Sequence, residues 1–434
     1  MSWMLRGRKP PASYLSRGCD VIRERGYAAL NTDRTGESVF FLGIDVGKQK
    51  HVASMIGDDG KPVFKAHSFE NSGEGLESLF AKIREKGGTV ATVEVGLEAT
   101  GHYWLSVYSQ FYDNGFKVHV INPIQTDGWR KGVEIRRRKT DTIDSVLIAE
   151  LVRYGDFIET HLPQEELIAL KNLTRFRSWL VDSIADLKRK VIVVLDQVFP
   201  EYQSIFSDIF GATSKEILLK FSSPADLEDV DTDMLAELLS TLSRKRMGLE
   251  TAEKLSSAAA KSFGVTFCRD SFSFQLKMLI QQMKHIELQV KETEDEIEAI
   301  MTDLNSPITS IPGIGKVTGA VILGEIGSID KFDDPAKLVA FAGIDAIVKQ
   351  SGEFESNSNR MSKRGSPYLR RALFQSALVA ACGRNPDPIL SAFYKKKRAE
   401  GKHHGTCIGA VSRKLCYVIY TILKENRPYI IREV

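Results

Sequence analysis

The period of the apolar residues changes along the chain, and each period predicts its own architecture. Between Val39 and Asn122 the apolar residues fall in short runs bounded by glycine, proline and charge, as strands and short helices require. The run FFLGIDVGKQKHVASMI, Phe40 to Ile56, reads as a buried strand that breaks at Gly47 into a basic turn and resumes at Val52 as a hairpin partner. Lys61 to Phe69 predicts a third strand and Leu76 to Glu85 a helix. Thr89 to Gly96 predicts a fourth strand, His102 to Gly115 a helix ended by glycine, and FKVHVIN a fifth strand closed by Asn122-Pro123. Together they predict an antiparallel meander followed by alternating helix and strand.

From Gln164 to Pro200 the spacing turns helical, with Leu167, Leu170, Leu180, Ile184, Leu187, Val191, Val194 and Val198 on one side. A polar, helix-prone insert without a recognisable role follows to about Arg269. Leu276, Leu279, Met283, Ile286, Val290, Thr293, Ile297, Ile300 and Leu304 then alternate spacings of three and four, about four heptads of coiled-coil pattern. This seam serves an antiparallel hairpin with the earlier helix, a dimerisation arm, or both. At Pro307 a new pattern opens: ITSIPGIGKVTGAVILGEIG places a proline and glycines between apolar helical runs, like a helix-hairpin-helix whose turn offers backbone N–H groups to a phosphate. Its GIGK is no nucleotide loop, since Ser310 stands where the first glycine belongs and Val317 replaces the serine or threonine.

Composition agrees with a globular chain of about three domains at roughly 150 residues each. The net charge of +3 identifies no partner, but its distribution is informative. RKGVEIRRRK, Arg130 to Lys139, sets Arg130, Lys131, Arg136, Arg137, Arg138 and Lys139 against one glutamate, and YKKKRAEGKHH, Tyr394 to His404, is a second basic run. Such runs are solvated faces or phosphate-binding surfaces. Cys19, Cys268, Cys382, Cys407 and Cys416 are odd in number and lack C-x-x-C spacing, which argues for reduced thiols in the cytoplasm and against zinc. No stretch holds the eighteen or so uninterrupted apolar residues of a membrane span. The first 38 residues, without an apolar signal core, read as a disordered basic arm.

The chemistry starts at Asp45, a carboxylate in a run that is otherwise apolar. Burying it costs several kcal/mol unless a cation or a set of donors satisfies it, so Asp45 is a ligand or a structural oddity. Glu98 lies just past the fourth strand, and Asp141 and Asp144 lie in KTDTIDSVLIAEL, three apart and so on one helical face. Neighbouring strand ends can bring Asp45 and Glu98 to one sheet edge. Four carboxylates at one place repel and become tolerable around divalent cations, and oxygen ligands without His or Cys favour Mg²⁺ or Mn²⁺. The helical pair also has a plainer reading, with Thr140 as cap and Asp141 favouring the helix dipole, but that leaves Asp45 unexplained. The ribonuclease-H-like fold shares this order of strands, helices and acids.

These motifs taken together resemble the DEDD transposases of bacterial insertion sequences, the group related to Piv-type DNA invertases and described as bridge-RNA-guided recombinases. In the first half the resemblance rests on GIDVGK, on EATGHY and on KTDTIDSVLIA; in the second it rests on IPGIGKVTGAVILGEIG, QSG and SKRGSPYLRRAL. It implies an α/β RuvC-like catalytic domain at 39–160, a helical coiled-coil linker with insert at 161–305 and a mainly helical transposase domain at 306–434. The family's acidic tetrad falls on Asp45, Glu98, Asp141 and Asp144 and its nucleophilic serine on Ser351, which by spacing alone is an ordinary loop serine. The implied activity is cleavage and rejoining of DNA through a serine-DNA intermediate, with Mg²⁺ or Mn²⁺ on the tetrad, in a site shared between protomers of a dimer or tetramer. The implied partners are donor and target DNA and a structured guide RNA, contacted by the basic run at Arg130 to Lys139 and by Lys363, Arg364, Arg370 and Arg371. A RuvC-like nuclease using metal-activated water, and an inert nucleic-acid scaffold, are the alternatives.

Overall fold

The computed structural model describes residues 39–99, 101–133, 140–155, 157, 164–347, 350–351, 354–355 and 360–431. The basic arm expected at 1–38 lies outside them. Two compact units divide the chain, Met1–His161 and Leu162–Val434.

The first unit is built on a mixed five-stranded sheet: β1 Phe40–Asp45, β2 Lys50–Gly57, β3 Pro62–Glu70, β4 Val93–Glu98 and β5 Lys117–Ile121, in the order β3-β2-β1-β4-β5. β1 pairs antiparallel with β2 and parallel with β4, and β4 pairs parallel with β5. Helices α1 Gly73–Glu85 and α2 Trp104–Asp113 contribute Leu76, Leu79, Phe80, Ile83, Val107 and Phe111 to a core that also holds Leu42 and Ile44 of β1. β1 is central and buried on both faces, which is why its run lacks the alternation of a half-exposed strand. β4 begins later than the sequence predicts, because Thr89–Thr92 forms a turn in which the Val93 amide donates to Thr89 O at 3.0 Å. Two more helices lie among the unit's described residues: α3 Pro123–Val133 and α4 Asp141–Tyr154.

Gly43 is what lets α4 lie on β1. Because side chains alternate along a strand, Phe41, Gly43 and Asp45 share the face opposite Leu42 and Ile44, and Phe41 packs with Leu147, Ile148 and Leu151 of α4. A Cβ on Gly43 would collide with the Ser145 carbonyl and the Ala149 amide of α4. In the adjacent parallel strand Gly96 is Gly43's register partner, and a Cβ there would meet the Ile148 and Val152 methyl groups. Two glycines side by side thus form a flat saddle for the helix. Gly43→Ala is expected to destabilise the protein by about 3 kcal/mol, since the clash is with backbone that cannot move aside. Gly73→Ala, where no atom stands within 4 Å of the added carbon, serves as control. Equal melting temperatures for the two variants would refute the saddle.

In the second unit α5 Glu165–Val198 and α9 Arg269–Leu304 pack lengthwise and antiparallel, tied by Arg177 to Glu294 at 2.6 Å. Leu276, Met283, Thr293 and Ile297 of the heptad seam are buried, as are Ile280 and Met301. The chain therefore covers this seam with its own earlier helix, the hairpin alternative. The insert of unassigned role forms α6 Ala212–Lys220, α7 Thr232–Ser243 and α8 Leu249–Ala260, which close a core with the far half of the hairpin. There Tyr202 is fully buried and lies 2.9 Å from the Ser214 hydroxyl.

The remaining helices are α10 Lys316–Ile326, α11 Pro335–Ala342, α12 Pro367–Cys382, α13 Pro388–Ala399 and α14 His404–Glu425, with a short β6 Gln350–Ser351 and β7 Phe354–Glu355. Gly313, at a φ of +86°, crosses against Ser376 and Ala380 of α12 so closely that a side chain would not fit. Glu325 of α10, 4% exposed, receives two hydrogen bonds from the Arg175 guanidinium of α5, at 2.6 and 3.0 Å, the pairing a buried carboxylate needs. α14 is, among the described residues, the one helix long and apolar enough to cross a membrane, yet Ile408, Val411, Leu415, Ile419 and Ile422 sit in the unit's core.

Candidate active site

Asp45 and Glu98 end two adjacent parallel strands, β1 and β4, both on the face that carries α4. α4 starts beside those ends. Thr140 caps it, accepting from the Ile143 amide at 3.3 Å, while the Asp144 amide donates to Thr140 O at 2.9 Å. The cap fixes the first turn, so Asp141 is exposed and Asp144, one turn on, is 4% exposed. The plainer reading of the helical pair is thus correct as far as it goes: the helix is capped by Thr140. It does not exhaust the pair, because both aspartates also line a pocket with the strand-end acids Asp45 and Glu98.

The four acids line one pocket of about 460 Å³. Val46, Gly47, Lys50 and Val52 of the β1–β2 hairpin form one wall, and Pro123, Thr126, Asp127 and Arg130 of α3 form another. Arg130 Nη2 lies 2.9 Å from Asp144 Oδ1, and the two side chains are only 15% and 5% exposed. A carboxylate so far out of water needs a cation, and α3 brings one. Among the described residues no group of three or more His, Cys, Asp or Glu is drawn together tightly enough to hold a metal ion. The chemistry of the donors still suits one: the lining offers four carboxylates of the tetrad and a fifth from Asp127, with no His or Cys among them.

Glu94 shares the strand and face of Glu98 two pairs further back, but its role differs. His119 Nε2 lies 3.1 Å from Glu94 Oε2 and Lys117 Nζ 3.3 Å from Oε1. The hydrogen bond to His119, working against burial and helped by Lys117, holds this carboxyl down at about 2. Glu94 is thereby a paired structural acid that does not line the pocket.

Lys50, Thr126 and Asp127 are pocket residues that sequence reasoning passed over. Only the hairpin spacing from Asp45 could have signalled Lys50. Of the candidate nucleic-acid contacts, Arg130 holds Asp144 and Lys131 holds Asp127 at 2.6 Å. Arg136, Arg137, Arg138 and Lys139 lie outside the described residues. In the second unit Lys363 and Arg364 are exposed. Arg371 pairs with Asp182 at 3.1 Å, and Arg370 donates to the Ala342 and Gly365 carbonyls, bracing the loop before α12. Ser351 lies on β6, paired in register with Phe354 of β7.

Two family models match. Residues 42–200 match the DEDD transposase model of IS110 elements, and residues 305–395 match the model described as transposase, IS116/IS110/IS902 family. The 43.6 kDa protein of insertion element IS110 from Streptomyces coelicolor is 26% identical over 402 residues, covering 90% of this chain and 95% of that protein. The pilin gene-inverting protein of Moraxella bovis is 24% identical over 389 residues, covering 90% and 97%. The putative transposase of the IS117 mini-circle from Streptomyces coelicolor is 25% identical over 376 residues, covering 84% and 89%. With both transposase domains in order along one chain, the protein belongs to the IS110/IS116 family of transposases and DNA invertases, enzymes that rearrange DNA.

Proposed function

We propose that the pocket between β1, β4, α3 and α4 is a divalent-metal centre of the ribonuclease-H-like kind, and that the protein uses it to cut and rejoin DNA through a covalent bond to Ser351. The observation that carries the proposal is the convergence of Asp45, Glu98, Asp141 and Asp144, from three separate elements, on one pocket. The strand order β3-β2-β1-β4-β5, with three antiparallel strands followed by two parallel additions, supports the ribonuclease-H-like reading. Asp45, Glu98, Asp141 and Asp144 would hold the metal, which we take to be Mg²⁺ or Mn²⁺. Bound there, it would supply charge to the scissile phosphate and acidify the attacking hydroxyl.

Ser351 Oγ attacks the phosphorus, the strand's own hydroxyl leaves, and a phosphoserine ester remains. A hydroxyl on another strand then attacks that ester and frees the serine, so the number of phosphodiester bonds is unchanged. A ribonuclease-H-like nuclease would instead pass the bond to water and lose it. Guidance by a structured RNA, a homo-oligomeric assembly and the 39–160, 161–305 and 306–434 division are carried by the family resemblance, and the basic runs are their sequence-level support. The experiment is to purify the protein with its co-purifying RNA, sequence that RNA, and incubate the complex with Mg²⁺ and duplexes matching it. Recombinant joints at base-level precision are expected. Cut ends without joints would favour the nuclease.

A further inference from the structure

Arg130 brings a positive charge into the pocket that the four acids line. Its guanidinium contacts Asp144 Oδ1 at 2.9 Å, and at 5% exposure that carboxylate cannot rely on water. A divalent ion drawn to the same carboxylate would compete with the guanidinium for its charge. Arginine cannot ease that competition by losing its proton, which leaves movement of its long side chain as the way to ease it. Arg130 sits in the last turn of α3, and the sequence beyond α3 is the basic run that ends in Arg136, Arg137, Arg138 and Lys139. A phosphodiester reaching this segment would meet a planar fork suited to two of its oxygens.

We infer that Arg130 is a place-holding cation that neutralises Asp144 in the resting site and exchanges this carboxylate for a nucleic-acid phosphate when metal and DNA enter together. The inference rests on the reading of the tetrad as a metal centre. By linkage, a group that competes with the metal, and that DNA draws away, makes each ligand raise the affinity for the other. Arg130 is then a positioning residue that keeps the carboxylates from loading metal until substrate is present.

The test measures Mn²⁺ binding to the full-length protein by electron paramagnetic resonance, with and without a short DNA duplex. In the wild type, DNA should tighten Mn²⁺ binding by about tenfold, an ordinary size for such coupling. Arg130→Gln should bind Mn²⁺ about tenfold more tightly without DNA and lose the enhancement. Arg130→Lys, which keeps a cation, should stay close to the wild type, and Lys82→Gln on α1 should match it. Tighter binding in Arg130→Gln with intact folding by circular dichroism supports the exchange. Unchanged or weaker Mn²⁺ binding in Arg130→Gln, or an enhancement by DNA that survives it, overturns the exchange while leaving the metal centre in place. If Arg130→Gln does not fold, the Arg130→Lys result decides: binding about tenfold tighter than wild type without DNA would refute the place-holder. If Asp144→Asn binds Mn²⁺ as the wild type does, the metal centre itself is wrong and the exchange falls with it.

Discussion

Asp45→Asn is expected to lower Mg²⁺-dependent strand cleavage by about a thousandfold, which corresponds to the several kcal/mol that a correctly held metal contributes to a phosphoryl-transfer transition state. Asn keeps the shape of the side chain but not its charge. Asp45 closes β1 beside Glu98 and faces the pocket that Asp141 and Asp144 also line, so removing one of four clustered charges relieves repulsion rather than creating it. The melting temperature should therefore hold or rise slightly, and the activity loss should appear in kcat with DNA affinity little changed. Near-normal cleavage at saturating Mg²⁺ would remove Asp45 from the metal centre. An equal loss in activity and in melting temperature would make it a structural residue.

Asp45 was legible in the sequence because an acid within an apolar run has a cost that local structure cannot meet. Asp141 and Asp144 were legible as a helical pair, and Glu98 as an acid just past the fourth strand, which in the structure runs on to Glu98 itself. Their meeting is an expectation of neighbouring strand ends and of the family's tetrad, but the packing behind it was not legible. It depends on the Gly43–Gly96 register, and a glycine beside another strand's glycine leaves no mark in either run taken alone. The sequence placed the fourth strand too early for a similar reason, since Thr89 and Thr92 favour a strand by type and are held in a turn by their own hydrogen bonds.

Arg130 illustrates a different limit. Charge spacing groups it with the run up to Lys139, as a phosphate contact, whereas the fold lays α3 against α4 and points the guanidinium at Asp144. The heptad seam between Leu276 and Leu304 likewise states that a partner helix exists but not whose it is, and the partner is α5 of the same chain. Val193, Phe274 and Met278 are apolar residues of this hairpin that remain exposed in the single chain.

Ser351→Ala is expected to abolish both cleavage and joining while leaving DNA binding and the fold intact, since loss of one hydroxyl in a short hairpin costs about half a kcal/mol at most. Nothing in the spacing around Ser351 marks it as a nucleophile; it is chosen because the resemblance to the family falls there. Two neighbouring serines have other duties in the structure. Ser362 Oγ is bonded to Asp345 Oδ1, and Ser366 caps α12 by accepting from the Leu369 amide at 3.3 Å. Their loss would act on the fold, and Ser366→Ala should lower stability by about 1 kcal/mol, the ordinary cost of an N-cap. A covalent intermediate separates the two mechanisms directly. Wild-type protein given Mg²⁺ and a DNA substrate nicked so that the leaving strand diffuses away should accumulate an adduct that survives denaturation, because the ester has no hydroxyl to return to. Mass spectrometry should place it on the peptide containing Gln350 and Ser351. An adduct on Ser356 or Ser358 would move the nucleophile within the same mechanism, whereas cleavage without any adduct, retained in Ser351→Ala, would assign the attack to water and make the protein a nuclease.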